Sequence, residues 1–246
     1  MIDTHAHLDA CAGLVHEIVE RAHQAGVQRI LAVGSTIDTC RIALAAADAE
    51  EGVFAILGIH PHEADREGER LDELRPLLAH PRAVAVGETG LDFYRDRAPR
   101  DRQLALFEAE LALAAELGKP VVIHSRAADA ETADALQRFG GTVVLHCFSS
   151  PALLPVALER GYYVSFAGNV TFPNASELRL AASQVPADRI LAETDSPYLG
   201  PQPVRGRPNE PANVMHTLAA LAGARGEDPA ELETQIEANA STAFRL

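Results

Sequence analysis

Eight short apolar runs, rich in β-branched residues, recur along the 246-residue chain and constrain its fold more than any other feature. They are Ile2 to Leu8, Arg29 to Gly34, Val53 to Ile59, Ala83 to Gly87, Val121 to His124, Thr142 to Phe148, Tyr162 to Phe166 and Ile190 to Glu193. Each reads as a strand. Between them lie Ala- and Leu-rich segments with helical spacing, such as Asp101 to Leu117, where Leu104, Phe107, Leu111 and Ala115 share one side. Asp101 can cap the start of that helix and Gly118 its end. Strands that alternate with helices predict a parallel sheet, and eight such units predict an α/β fold closed into a (β/α)₈ TIM barrel. The length agrees with the roughly 250 residues such a barrel needs, so residues 1–246 are read as a single domain. The Pro-rich passage Gly200 to Pro211 reads as a long loop after the eighth strand, and Pro229 to Ala240 as a last helix.

Composition narrows the function classes. Hydrophobic residues make up 47% of the chain, enough for a sizeable core. No apolar run approaches the ~18 residues of a membrane span and the N-terminus lacks signal-peptide features, so the expectation is a cytoplasmic protein without a membrane partner. Cys11, Cys40 and Cys147 include no Cys-x-x-Cys pair, which argues against a disulfide framework or a thiolate zinc site and for reduced thiols. The formal net charge of -14 argues against nonspecific duplex binding. Neither composition nor motif sets an oligomeric state.

In a (β/α)₈ barrel the active site lies at the C-terminal ends of the strands. Reactive residues fall there: His5 and His7 on the first strand, His60 and His62 after the third, Glu88 after the fourth, His124 after the fifth, His146 near the end of the sixth, and Glu193 and Asp195 after the eighth. His5 and His7 are two apart, so in a strand both point to one face and can grip one ion. By contrast His16, His23, His80 and His216 lie in helical or loop segments and are read as solvent-exposed, with no role. His5, His7, His124, His146, Glu88 and Asp195 are too many ligands for one tetrahedral metal. They suit two. A pair of cations roughly 3.5 to 4 Å apart can activate a water and hold both oxygens of a displacement, with Glu88 as the natural bridge from its place in the chain. Histidine-rich coordination favours zinc, manganese or iron over magnesium, because magnesium prefers oxygen ligands and keeps its waters.

Several segments together resemble a known family. They are Asp3-Thr4-His5-Ala6-His7-Leu8-Asp9, Gly58-Ile59-His60-Pro61-His62, Gly87-Glu88-Thr89-Gly90-Leu91-Asp92, Val122-Ile123-His124-Ser125-Arg126, Leu145-His146-Cys147-Phe148, and Glu193-Thr194-Asp195-Ser196-Pro197-Tyr198-Leu199 with Arg207-Pro208-Asn209-Glu210-Pro211. They resemble, in order, the TatD family of metal-dependent DNases. The resemblance implies an amidohydrolase-type barrel, a divalent-metal centre and hydrolysis of DNA phosphodiesters, of the 3'-5' exonuclease kind, on single strands or frayed ends. It further implies one metal on His5, His7 and Asp195, a second on His124 and His146, and Glu88 shared. His60 and Glu193 would sit beside the centre, contacting substrate or orienting water.

A positioned carboxylate such as Asp195 can take the proton of the attacking water. Rim arginines can orient other phosphates: Arg95 and Arg97 follow Glu88, Arg126 follows His124, and Arg205 and Arg207 lie on the long loop. Arg126, Arg207 and Asn209 fall inside the matching motifs and are the expected substrate-binding residues. The rival reading keeps the barrel and metals but changes the bond to a carboxylic ester, lactone or amide, including the aminoacyl ester of a charged tRNA. A metal-dependent binding protein without catalysis is a second rival, which the complete ligand set disfavours.

Overall fold

The computed structural model describes residues 1–246. Its strands are β1 (Ile2–Ala6), β2 (Arg29–Gly34), β3 (Val53–Leu57), β4 (Ala83–Asp92), β5 (Val121–Arg126), β6 (Val143–Leu145), β7 (Tyr163–Phe166) and β8 (Ile190–Ala192). The α-helices are α1 (Val15–Gln24), α2 (Ile37–Ala49), α3 (Ala64–Glu67), α4 (Leu74–Leu78), α5 (Arg100–Leu117), α6 (Asp129–Leu136), α7 (Leu154–Arg160), α8 (Ser176–Gln184), α9 (Val214–Arg225) and α10 (Pro229–Phe244). The strands pair in chain order, all parallel, so the expected barrel is present. Its ends meet at a seam made by the Ala6–Ser196 bridge, with Asp195 N donating to His5 O at 3.0 Å and His7 N to Ser196 O at 2.8 Å. β-branched and large aliphatic residues suit a sheet covered on both faces. Ile2, Ile30, Leu31, Ile56 and Leu57 are accordingly buried completely. No helix is long and apolar enough to cross a membrane, and the three cysteines are free.

The boundaries that differ from expectation are those that shape the site. β4 does not stop at Gly87 but runs on to Asp92, pairing Gly90 with His124 and Asp92 with Arg126 of β5. Between Val86 and Thr89 the register shifts, so the Gly87-Glu88 step is an irregularity that re-aims one side chain. Glycine is required on both sides of it. At Gly87 (φ 154°) a Cβ would lie 2.8 Å from Val122 Cβ, and at Gly90 (φ 131°) one would lie 2.0 Å from His124 O. β6 ends at Leu145, earlier than expected, and the chain leaves the sheet at His146. At α5, Gly118 is the left-handed terminator, but Pro99 occupies the N-cap and Asp101 makes no cap bond. Asp101 lies inside the first turn, where its charge still favours the helix dipole. α10 continues past Ala240 because Ala243 and Phe244 are buried, and Asp228 caps it by accepting from Ala230 N and Glu231 N.

Candidate metal centre

The six expected donors converge at the C-terminal mouth of the barrel, and Glu88 stands in their middle. Its two oxygens face different sets. Oε2 lies 3.4 Å from His5 Nε2 and 3.5 Å from His7 Nε2, while Asp195 Oδ1 lies 4.0 and 3.6 Å from the same nitrogens. Oε1 lies 2.7 Å from His124 Nδ1, 2.8 Å from His146 Nε2 and 3.4 Å from His60 Nε2. Two donors held at the usual ~2.0–2.1 Å from one ion, at the tetrahedral angle, are about 3.4 Å apart. Three of the four distances in the Oε2 set are close to that spacing and the fourth, His5 to Asp195, is wider; the Oε1 set is tighter because Glu88 hydrogen-bonds directly to His124 and His146. Parallel ring stacking of His5 on His146, with centroids 3.8 Å apart, packs the two sets against each other.

The donors fit a cation by a second measure. His5 is fully buried, yet neither ring nitrogen has a hydrogen-bond partner. A buried polar atom left so is rare, and an ion facing Nε2 would account for that nitrogen, though not for Nδ1. Charge points the same way. Burial works against ionisation of Glu88, but His146 and His60, with hydrogen bonds from His124 and His146, hold its carboxyl well below the usual range. Burial also pulls His7 down, and bonds to Asp195 and Glu88 overcome it and carry His7 up to about 10. His124 and His146 are raised too: against burial, Asp92 and Glu88 act on the first, and Glu88 and Glu193 on the second. Burial wins at His5, which is lowered, and at His60, pushed down to about 4. The carboxylates thus draw protons onto imidazoles, and a bound cation would take over that positive charge and release them.

Carboxylates behind the donors fix the rings. Glu193 Oε1 lies 2.9 Å from His146 Nδ1 and accepts from Cys147 N at 2.9 Å. This makes Glu193 a partner of His146 in the position from which a carboxylate orients a metal-binding imidazole. Asp92 serves His124 likewise: its Oδ2 lies 3.1 Å from His124 Nε2 and 2.8 Å from His62 Nε2, and its Oδ1 accepts from Tyr94 N and Arg95 N. Asp92 is not among the residues expected at the site, although it closes the Gly90-Leu91-Asp92 stretch that pairs with His124 to Arg126. His60 Nδ1 accepts from His62 N at 3.1 Å, so the proton of its neutral ring sits on Nε2 and points at the centre. There His60 is a donor without a lone pair to offer.

The remaining expected residues divide. Arg126 ends β5, exposed, with its guanidinium 4.3 Å over the Tyr94 ring. Arg207 is exposed on the β8 loop, and Arg205 lies over Phe172 at 3.9 Å. Arg95 and Arg97 are exposed in the turn after β4, where the neighbouring Arg100 pairs with Asp96 at 3.4 Å. Asn209 departs from the substrate-binding expectation. It is buried, its amide donates to Thr194 O and Tyr198 O, and its oxygen accepts from Glu210 N and Asn213 Nδ2, so all its capacity goes to bracing the β8 loop. Of the four histidines expected at the surface, only His16 is fully exposed; His23, His80 and His216 are half-buried, and none joins the centre. His216 helps line a separate cleft of about 990 Å³ beside α8 and α9, which contains none of the donors.

A TIM barrel whose mouth gathers histidines and carboxylates around one central glutamate defines a metal-dependent hydrolase. Comparison with known proteins makes the class specific. The family described as TatD related DNase matches residues 2–245, and the chain belongs to it. It is 40% identical over 259 residues to a Mycobacterium tuberculosis (strain ATCC 25618 / H37Rv) protein named as an uncharacterized metal-dependent hydrolase, TatD, covering 100% of this chain and 98% of that one. A Pantoea vagans (strain C9-1) protein named 3'-5' ssDNA/RNA exonuclease TatD is 40% identical over 242 residues, covering 94% of this chain and 93% of that one. The crystal structure of YJJV, a TatD homolog from Escherichia coli K12, superposes with a TM-score of 0.94 at 31% identity, covering 100% and 98% of the two chains.

Proposed function

We propose that the chain is a two-metal nuclease that removes nucleotides from the 3' ends of single-stranded or frayed DNA. The observation that carries the two-metal reading is the division of labour at Glu88, whose oxygens face two separate sets of imidazoles. His5, His7, Asp195 and Glu88 Oε2 would hold one divalent ion, and His124, His146 and Glu88 Oε1 the other. Zinc and manganese suit these nitrogens better than magnesium. When bound, such ions supply an acidified water and neutralise charge on a phosphodiester. The nuclease reading and its polarity draw support from relatives named 3'-5' ssDNA/RNA exonuclease.

The chain's own groups then have distinct tasks. Asp195 receives the proton of the attacking water, because its side chain is 13% exposed whereas Glu88, Asp92 and Glu193 are each at 4% or less. A bond forms from water oxygen to phosphorus, the bond from phosphorus to the leaving sugar oxygen breaks, and that oxygen takes a proton from solvent. His60 Nε2–H donates to a non-bridging oxygen of the substrate. Glu193 and Asp92 keep His146 and His124 in register. Arg126 and Arg207 attract the neighbouring phosphates.

The test is a panel of end-labelled oligonucleotides, carboxylic esters and amides, with and without chelator, alongside elemental analysis. The expected result is shortening of single strands from the 3' end, lost in chelator and regained with added divalent metal. Hydrolysis of esters or of charged tRNA in preference to oligonucleotides would overturn the nuclease reading, and activity in a metal-free protein would overturn the mechanism.

A further inference from the structure

Aromatic side chains are scarce in this protein: eight Phe, four Tyr and no Trp. Nearly all are inside. Every Phe is buried or half-buried, and Tyr162 and Tyr163 are 6% and 7% exposed. The exceptions are Tyr94, 66% exposed, and Tyr198, 56% exposed. Exposing a large ring forgoes the stabilisation its burial would give, and these two rings are not scattered over the surface. Tyr198 meets the His7 ring, and Tyr94 follows closely on Asp92, the residue that holds His124.

Each is tied by the backbone to one half of the metal centre. Tyr94 N donates to Asp92 Oδ1 at 3.1 Å, and the other oxygen of Asp92 holds His124 and His62. Tyr198 N donates to Asp195 O at 2.8 Å, its ring meets the His7 ring edge to face at 5.7 Å, and its carbonyl is held by the buried amide of Asn209. The Tyr94 ring is also supported from one side. Arg126 lies over it at 4.3 Å, exposed and without an acidic partner, so the guanidinium fixes the ring while its charge stays available. A ring covered by Arg126 and still 66% exposed presents its other face to solvent.

We propose that Tyr94, backed by Arg126, and Tyr198 form a two-sided stacking clamp that takes the unpaired bases flanking the scissile phosphate of single-stranded DNA. This rests on the nuclease reading and names what the site selects. Stacking suits the task because every base has a π face, so rings grip the strand end without reading its sequence. It also excludes duplex. A base within a helix is already stacked on its neighbours, and reaching the tyrosines requires it to unpair and leave the stack. The protein's -14 charge, which opposes polyanions at a distance, leaves these local aromatic contacts unaffected. The clamp therefore accounts for how an acidic protein could hold a nucleic acid end, with Arg126 meeting phosphate and ring together.

The experiment uses the metal-loaded protein and its Tyr94→Leu, Tyr198→Leu, Tyr94→Phe and Tyr198→Phe variants. Substrates are a single-stranded oligonucleotide, the same strand with abasic sites at its last positions, and a strand carrying 2-aminopurine there, whose fluorescence falls on stacking. Each Leu variant should raise KM for the intact strand about tenfold, or ~1.4 kcal/mol, within the range of base–aromatic stacking, with kcat and metal content little changed. Each Phe variant should keep the wild-type KM. The abasic strand should show a raised KM with the wild type and no further rise with the Leu variants, and 2-aminopurine quenching should weaken in the Leu variants. Cleavage of the intact strand with unchanged KM in both Leu variants would overturn the clamp and leave the nuclease reading standing. An equal KM rise on intact and abasic strands would overturn it too. If the wild type neither binds nor cleaves any strand, clamp and nuclease reading fall together.

Discussion

Replacing Glu110 by glutamine should make the protein more stable at neutral and alkaline pH, and the structure sets the size of the gain. Glu110 is wholly buried in α5, behind the site. One carboxyl oxygen accepts from Ile59 N at 2.7 Å and the other bonds to the Thr89 hydroxyl, so the group ties the end of β3 to β4 just beneath His60 and Glu88. No cation faces it. Burial pushes its pKa from 4.5 up to about 8, against the lowering effect of those two bonds. A carboxyl whose folded value is raised contributes fully below its unfolded value, and the contribution is lost as pH climbs through the folded one. Stability should thus fall by about 1.4 kcal/mol per pH unit from roughly 4.5 to 8, reaching on the order of 5 kcal/mol in all. Glutamine mimics the neutral acid, accepting from Ile59 N and donating to Thr89. Urea unfolding of both proteins at pH 5, 7 and 9 should give similar midpoints at pH 5 and a widening advantage for Glu110→Gln above it. Titrations at the metal centre are common to both proteins and cancel in the difference. Parallel pH profiles for the two would show that Glu110 is ionised in the fold and refute the reasoning.

Glu88→Gln keeps shape but removes the charge facing both imidazole sets, so elemental analysis should find one of two metals lost and kcat reduced at least a hundredfold with the circular dichroism unchanged; two retained metals with near-normal turnover would make Glu88 structural. Asp92→Asn should weaken the ion at His124 about ten- to a hundredfold in chelator competition while sparing the one at His5 and His7, since Asp92 orients only the first ring. His60→Ala should retain both metals but lose turnover, because its Nδ1 already accepts from His62 N; loss of a metal would make it a ligand. Arg207→Ala should raise KM for oligonucleotides and reduce the slope of log affinity against log salt by about one, with metal content constant.

The barrel was legible because its signals are local and repeated: each apolar run and each helical segment shows its own periodicity, and the fold follows from their order. The convergence of the candidate donors was legible for a related reason. In a parallel barrel all strand ends face one way, so residues far apart in the chain can be assigned to one mouth from strand position alone. What escaped depends on side-chain direction. The motifs put Glu193 beside the centre, contacting substrate or orienting water, but do not show that its Oε1 turns to His146 Nδ1. Asn209 lies in a matching motif but spends its amide on loop carbonyls. Asp101 was displaced as the cap because Pro99 starts the helix first. Glu110 could have been found: it follows Leu106 and Phe107 at helical spacing and so falls on the apolar stripe of α5, where a carboxylate signals a buried hydrogen-bonding role. The reach of β4 past Gly87 had a signal too, in glycines at 87 and 90 that leave room for β5.

Fold and centre also depend on each other at one place, the seam where β8 returns to β1. The sheet ladder there is thin, and site residues supply its bonds: Asp195 N to His5 O, His7 N to Ser196 O, and the Ala6–Ser196 bridge. Beneath them Asp3, in the same motif as His5, accepts from both the backbone and the hydroxyl of Thr194, and Thr4 donates to Ala192 O. Burial lifts the Asp3 carboxyl to about 8 despite the Thr194 bonds, so near neutral pH it can close the barrel without adding a negative charge beside the donors. An ion shared by His5, His7 and Asp195 would lie across this same seam, between β1 and the β8 loop. A ligand that binds only the folded state stabilises it in proportion to the logarithm of its concentration over Kd, and here that energy would fall on the least laddered joint of the barrel. The motif at the start of the chain would thus serve closure and coordination together: the backbone that joins the last strand to the first is the backbone that carries His5, His7 and Asp195, the donors proposed for one ion.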